Sequence, residues 1–341
     1  MKLHNLLIIL LAYLCWNCTN NSNTEKHQNS RNNIVDVQDK IVKIEMEENP
    51  VSSFAIPYIM DNFLIISDYK SPDKLIHIFD KNSFKYITST GDRGEGPQEI
   101  ANLGRIGINE ADRIFYVTDH GKLKIFSFNL DSVLMNPSYI PNQKFKLDGM
   151  MCPDNYDYIN DSLSIGLFTK ILDNSDYTPI VAKWNMKTGE VKPMKYLKHP
   201  EIERKRVSSA ISIENNLYVE CYWYHDLMTI GYLNGDFKCN IYGAKWNTKN
   251  SSENRHYRDV VFCKDYIVAS YLGEKRIIDG KGGGITVMNP TKFLIFDKNG
   301  DYIQTLEVGH PILTFCYDKE NNRIIMNLDD EMQVSYLDLN L

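Results

Sequence analysis

The chain has 341 residues, is 43% hydrophobic and 24% charged, and carries a formal net charge of −6. That composition excludes a disordered chain, and mild acidity without a basic block leaves no electrostatic case for nucleic-acid binding. Tyrosine (21) is frequent beside Phe (14) and Trp (4), a bias toward strands. All-β chains often exceed about 200 residues in one domain, so the length fits a single unit.

Taken in chain order, the first element is a targeting segment, residues 1–17. Lys2 supplies a positive start and Leu6–Leu14 a short apolar run. The run falls short of the roughly 20 residues that span a bilayer and reads as a secretory signal. Cys15 and Cys18 close it, and Thr19–Glu25 is polar and aperiodic. The pattern resembles a bacterial lipoprotein signal, with cleavage before a cysteine, lipid on its sulfur and then a tether. Cys18 is the expected attachment point because the polar run starts directly after it. Asn17 stands where a small residue is usual, so an ordinary cleaved signal is the alternative. Residues 18–33 are expected to form a flexible tether. Cys152, Cys221, Cys239, Cys263 and Cys316 follow at wide spacing. Their odd number and spacing fit neither a zinc site nor a complete disulfide framework, and they read as small buried hydrophobes.

From residue 34 the chain reads as short strands with Asn/Asp/Gly turns and no long helical period. Hairpins turn at Lys81–Ser83, Asn129–Asp131, Asn185–Gly189, Leu233–Asp236 and Asp297–Asp301. A strand precedes each, and the ends of these strands, with a sixth, fall at Asp68, Asp119, Phe168, Tyr222, Tyr271 and Asn327. Their spacings are 51, 49, 54, 49 and 56 residues. An inner strand fits before each. Six four-stranded units at this period predict an all-β fold, a six-bladed β-propeller over residues 34–341. The sixth unit lacks an outer strand, and Ile41–Met46 alternates with period two. That segment is expected to pair with residues 333–338 and close the ring, since an unpaired edge is avoided.

The loop Gly91-Asp92-Arg93-Gly94-Glu95-Gly96-Pro97-Gln98-Glu99 resembles the G-x-G-x-G-P-x-E signature of the TolB-like six-bladed propeller lipoproteins. NHL-repeat propellers are more distantly similar, and the Gly-His and Trp-Asp dipeptides of WD40 repeats are absent. The resemblance implies the fold and a place in the bacterial envelope, outer membrane included, and little chemistry.

Alternating strand direction places the blade-to-blade links and the loops between second and third strands on one face. The tight turns lie on the other. Longer loops on a rigid scaffold are where function concentrates. Candidate ligand contacts on the loop-rich face are Tyr69, Arg93, Glu95, His120, Arg206, Tyr224, His225, Arg258 and His310. Each has a structural alternative. Arg93 and Glu95 form a salt-bridged plug or aim Arg93 into the channel. Tyr222–His225 forms an aromatic shelf for sugar or peptide, or packs. Arg204–Arg206 is a solvated basic run. His120, His225 and His310 converge on a metal or stand apart. Gly280–Gly284 lacks a phosphate-loop pattern and reads as a flexible insertion, and Asp297–Asp301 lacks the acidic residue that would complete a calcium loop.

No nucleophile elbow or zinc-protease helix occurs. The expected role is therefore a lipid-anchored envelope protein that binds a partner protein, peptide or glycan, without catalysis, cofactor or metal. The alternative is a metal-dependent propeller hydrolase, lactonase or lyase with its site in the central channel, for which Asn102, Asp154, Asn155 and Asp265 are the ligand candidates.

Overall fold

The computed structural model of the chain describes residues 24–46, 51–136, 138–147, 149, 151–173, 176–249, 253–280 and 284–339. Cys15 and Cys18 lie outside them. Blade 1 comprises Ile56–Met60, Phe63–Ser67, Lys74–Asp80 and Tyr86–Asp92. Blade 2 comprises Leu103–Asn109, Ile114–Asp119, Lys124–Asn129 and Asn142–Lys146, and blade 3 Met151–Asn160, Leu163–Asp173, Asp176–Trp184 and Val191–Pro193. Blade 4 comprises Val207–Ser212, Leu217–Tyr222, Leu227–Tyr232 and Phe237–Gly243, and blade 5 Asn254–Cys263, Tyr266–Lys275, Lys292–Asp297 and Tyr302–Glu307. Blade 6 contributes Ile312–Asp318, Arg323–Leu328 and Val334–Asp338. The inner strands of blades 2 and 3, 4 and 5, 5 and 6, and 6 and 1 pack on one another, and those of blades 2 and 4 meet the second strands of blades 1 and 3, so the ring closes. The fold is the expected six-bladed β-propeller.

Each blade is sandwiched between two neighbours, so its second strand is apolar on both sides. Leu217–Tyr222 and Arg323–Leu328 are buried at every residue, so such strands read as largely apolar without alternation, and their charged members Glu220 and Arg323 are paired with Lys205 and Asp318. The turn from inner to second strand carries a left-handed residue in five blades: Asp61 and Lys264 open two-residue turns, and Arg113, Asn216 and Asn322 end four-residue ones. Asn and Asp tolerate that conformation best.

The closing strand is the predicted one. Val42 and Lys43 pair antiparallel with Tyr336 and Ser335, and Ile44 N–H donates to the Val334 carbonyl at 2.8 Å. Ile44 packs among Leu64, Ile66 and Phe79 of blade 1 and Ile325 and Val334 of blade 6. Val37 and Ile41 enter the core between blades 5 and 6.

Three expectations are corrected. The tether expected over 18–33 is structured from residue 24. Glu25–Gln28 adds as a parallel fifth strand to blade 4, and Ile34–Asp36 does the same to blade 5. Asn129–Asp131, expected as a hairpin turn, opens the short helix Leu130–Met135, because the Asn129 side chain caps it by accepting from Ser132 N–H at 2.9 Å. The residues on either side of Gly280–Gly284, expected as a flexible insertion, pair as a hairpin, Ile277–Asp279 with Ile285–Val287. All five cysteines beyond the signal are free. Among the described residues no helix is long and apolar enough to cross a membrane.

Val37, Ile41 and Ile44 are 5%, 8% and 4% exposed. At about 1.5–3 kcal/mol per buried aliphatic side chain, their burial rivals the roughly 5–15 kcal/mol total stability of a domain. Deleting residues 34–46 is therefore expected to abolish the cooperative melt followed by circular dichroism. A truncated chain that melts like the full one would contradict closure by this strand.

Candidate functional site

The two faces differ in how their polar groups are satisfied. On the tight-turn face the turn side chains bond their own backbone. Asp80 Oδ1 accepts from Asn82 and Ser83 N–H, Asn185 Oδ1 from Lys187 and Thr188 N–H, and Asp297 Oδ1 from Asn299 and Asp301 N–H. These Asx turns leave little to offer a ligand.

On the opposite face the glycine-rich loop between blades 1 and 2 holds itself together. Arg93 donates to the carbonyls of Ser71 at 2.9 Å and Tyr69 at 3.0 Å. It thus ties the loop to blade 1; it neither pairs with Glu95 nor enters the channel, and Glu95 is exposed. The acid that organises the loop is Glu99, whose Oε2 accepts from Gly96 N–H at 2.7 Å. A Cβ on Gly94 would lie 2.0 Å from Glu99 Oε2, and one on Gly96 2.9 Å from it. These two glycines therefore make room for a carboxylate. Lys122, from blade 2, donates to the carbonyls of Gly94, Gly96 and Glu99 at 3.0, 2.6 and 2.8 Å.

The channel mouth is different. A cavity of about 170 Å³ is lined by Phe54, Tyr69, Leu103, Arg105, His120 and Asp154, from blades 1 to 3. Phe54 and Tyr69 stack at 5.0 Å. Arg105 reaches the Tyr58 hydroxyl and lies in the field of Asp259 and Asp154. Arg258 lies close by, donating to the Leu313 carbonyl and Asn289 Oδ1, both at 2.8 Å. Burial pushes the Asp259 carboxyl up, opposed by Arg105. On the same inner strand as Asp154, desolvation by the surrounding protein pushes the Asp157 carboxyl up to about 7. The mouth thus combines two arginines, two aspartates (Asp154 and Asp259) and an aromatic pair. Such a set orients a polar ligand by charge and hydrogen bonds while the rings cover its apolar part.

Of the nine candidates, Tyr69 and His120 meet at this mouth, with Arg258 beside it in the channel. The others are dispersed. His310 bonds Asp330 at 2.8 Å between blades 5 and 6. His225 is buried, its Nδ1 on the Asn247 carbonyl at 2.9 Å and its Nε2 unpartnered, and burial pushes its pKa down. The expected aromatic shelf is occupied: Arg255 sits 4.1 Å from the Trp223 ring centre and 5.7 Å from that of Tyr224. Lys205 and Arg206 are buried, not part of a solvated run. Asn155 bonds the Ser209 carbonyl at 3.3 Å, and Asp265 pairs with Lys298 on the tight-turn face. The sequence reading missed Arg105, Asp157 and Asp259. Their one signal is a charge inside an inner strand, where neighbours alternate toward packed blades.

A family model described as a six-bladed beta-propeller, DUF5128, matches residues 46–222. The chain belongs to this family. The matched part of the DUF5128 chain includes the 91–99 loop and the Arg105 strand. None of the curated proteins matches in sequence. Among solved structures, a DUF4221 family member from Bacteroides vulgatus is similar with a TM-score of 0.57 at 12% identity, over 87% of this chain and 94% of that one. A luciferin-regenerating enzyme is similar at 0.54 and 8%, over the same shares, 87% and 94%. A Bacteroides fragilis protein described as exported is similar at 0.51 and 10%, over 92% and 97%. At these identities the likeness is one of fold. Among the described residues no three His, Cys, Asp or Glu side chains are grouped to hold a metal ion, so His120, His225 and His310 do not form a donor set.

Two measurements check this assignment of roles. Lys122→Met is expected to lower stability by about 2 kcal/mol in a denaturant melt, since three carbonyls lose a charged donor. Glu95→Gln should stay within about 0.5 kcal/mol of the native chain, and equal losses would contradict the loop assignment. The second concerns Asp157. The folded protein retains a proton that the unfolded chain releases near pH 4, so this group's contribution to stability falls as pH rises from about 4 and is lost above about 7. Asp157→Asn is therefore expected to gain in Tm over the native chain between pH 5 and pH 8. A constant difference would show that the surrounding protein does not hold the proton on Asp157.

Proposed function

We propose that the protein is a TolB-like lipoprotein, exported and anchored through Cys18 in the bacterial envelope at the outer membrane, that binds a partner protein, peptide or glycan through its loop-rich face without catalysing a reaction. The reading is carried by the charged mouth of the channel. Arg105, Asp154 and His120 converge there beside the Phe54–Tyr69 pair, while the tight turns of the other face satisfy themselves. The similarity to a protein described as exported supports the address.

Binding of the full chain to an array of envelope glycans and short peptides tests this. Ligands are expected whose signal falls at least tenfold with Arg105→Gln and is unchanged by Lys298→Ala on the tight-turn face. Ligands retained by Arg105→Gln and lost with Lys298→Ala would reverse the assignment of faces. Radiolabelled palmitate incorporation that survives Cys18→Ala would sink the anchor.

A further inference from the structure

We propose that a second site on the same face, a groove between the top of blade 3 and the link into blade 4, binds an anionic polysaccharide carrying uronate or sulfate groups. This rests on the loop-rich face being the binding face and extends that reading away from the channel. The groove has a volume of about 590 Å³. Lys170, Tyr177 and Thr178 form one side, and the 195–206 link forms the other.

The charge of the groove is opposite to that of the chain. Six cations line it, Lys170, Lys195, Lys198, Arg204, Lys205 and Arg206, against Glu203 alone. Two are committed elsewhere: Lys195 pairs with Asp236 and Lys205 with Glu220, both at 2.5 Å. Among the described residues, Lys170, Lys198, Arg204 and Arg206 form no ion pair. Four unpaired cations against one acid, on a chain of net charge −6, make a local positive field that attracts an anion and gives a neutral chain no electrostatic gain.

Arg206 supplies the second observation. It is 7% exposed. Its Nη1 donates to the Tyr177 and Lys205 carbonyls at 3.1 and 2.7 Å, while Nη2 is buried without a partner. A buried charged donor with an unused N–H is unfavourable until an acceptor arrives. Arg206 and Tyr177 both line the groove, so a carboxylate or sulfate that displaces the Tyr177 ring would supply that acceptor. Tyr177 covers the guanidinium at 4.0 Å and is 44% exposed, and Tyr196 adds a second ring.

The alternative polyanion, an acidic peptide, gains affinity by extending a sheet. The edge beside this groove is poorly suited to that. The outer strand of blade 3 is three residues long, Val191–Pro193. Pro193 has no N–H to give, and Lys192 adds a charge to the edge. A stiff chain of rings with spaced charges matches the scattered cations better.

Titration calorimetry of the full chain at low salt, with polygalacturonate, chondroitin sulfate, dextran and poly-L-glutamate as probes, decides it. At least one of the first two is expected to bind, and dextran is not. The surface double variant Lys198→Glu/Arg204→Glu should weaken that binding tenfold or more, and Arg206→Met should weaken it too. The first two probes separate carboxylate from sulfate as the group recognised. Absence of binding to both, or binding unchanged in the double variant, overturns the proposal. Poly-L-glutamate binding as tightly as the glycan overturns the assignment to a glycan. Probes that depend on Arg105 and not on Lys198 and Arg204 would leave the channel reading standing while removing the groove. Probes sensitive to neither would remove both.

Discussion

The structure depends on a constraint peculiar to rings: the first and last blades are not linked through the chain, so something must hold them together. Here the segment before blade 1 does so. It crosses the outer edges of blades 4 and 5 as short parallel strands, then completes blade 6 with Val42 and Lys43. Between the two parallel strands Arg31 turns inward. It pairs with Asp226 at 3.0 Å, both side chains nearly inaccessible, and Asp226 also accepts from the Tyr271 hydroxyl at 3.0 Å. Arg31 lies 5.7 Å from the Tyr271 ring centre and 5.4 Å from that of Phe296. Breaking a buried pair of this kind costs about 3–5 kcal/mol, because it strands the other charge. One arginine thus fastens the segment to the seam between blades 4 and 5.

That fastening explains why the Trp223–Asp226 loop is poor in free contacts. Asp226 is spent on Arg31 and on tyrosine hydroxyls, Trp223 donates to Ser208 at 2.8 Å, and His225 lies beneath. Aromatic and charged residues gathered in a loop look like a binding shelf in sequence. In three dimensions they are the socket for a distant arginine. The glycine-rich loop follows the same logic. Its glycines admit the Glu99 carboxylate and its carbonyls receive Lys122, so the stretch that carries the family resemblance holds a blade junction in shape.

The propeller was legible because its signals are physical and repeated: second strands apolar on both sides, turns at fixed intervals, and a missing outer strand matched by the alternation of Ile41–Met46. The parallel strands were not. Glu25–Gln28 is entirely polar and Ile34–Asp36 is three residues long. Their stability comes from an edge elsewhere in the chain, which local pattern does not reveal. The site was legible as a face and not as a set of residues. Tyr69 and His120 were found because loops on that face could be enumerated. Arg105 sits in a strand, Leu103–Asn109, whose alternation says only that some side chains face away from the packed blades. Whether they face solvent or the channel is decided by ring closure. Lys205 and Arg206 were misread for a related reason: a basic run usually means a solvated loop, but here the link turns inward between two blades, where Glu220 waits for one cation.

The distribution of unpaired buried polar atoms completes the picture. Among the described residues, buried polar atoms without a partner are spread around the ring, among them His77 Nε2 in blade 1, Arg206 Nη2 in the link into blade 4, His256 Nδ1 in blade 5 and Asn327 Oδ1 in blade 6. Burial pushes His256 down to about 4, so its ring is neutral near pH 7 and needs only ordinary hydrogen-bond partners. Each unmet buried group costs about 1–3 kcal/mol. A ring whose seams are packed with residues such as Ile230, Ile241 and Phe296 can carry that burden without unfolding. The consequence is a division of labour. Packing between blades provides the stability, the tight turns of one face satisfy their own backbone, and the channel mouth and the basic groove open on the other.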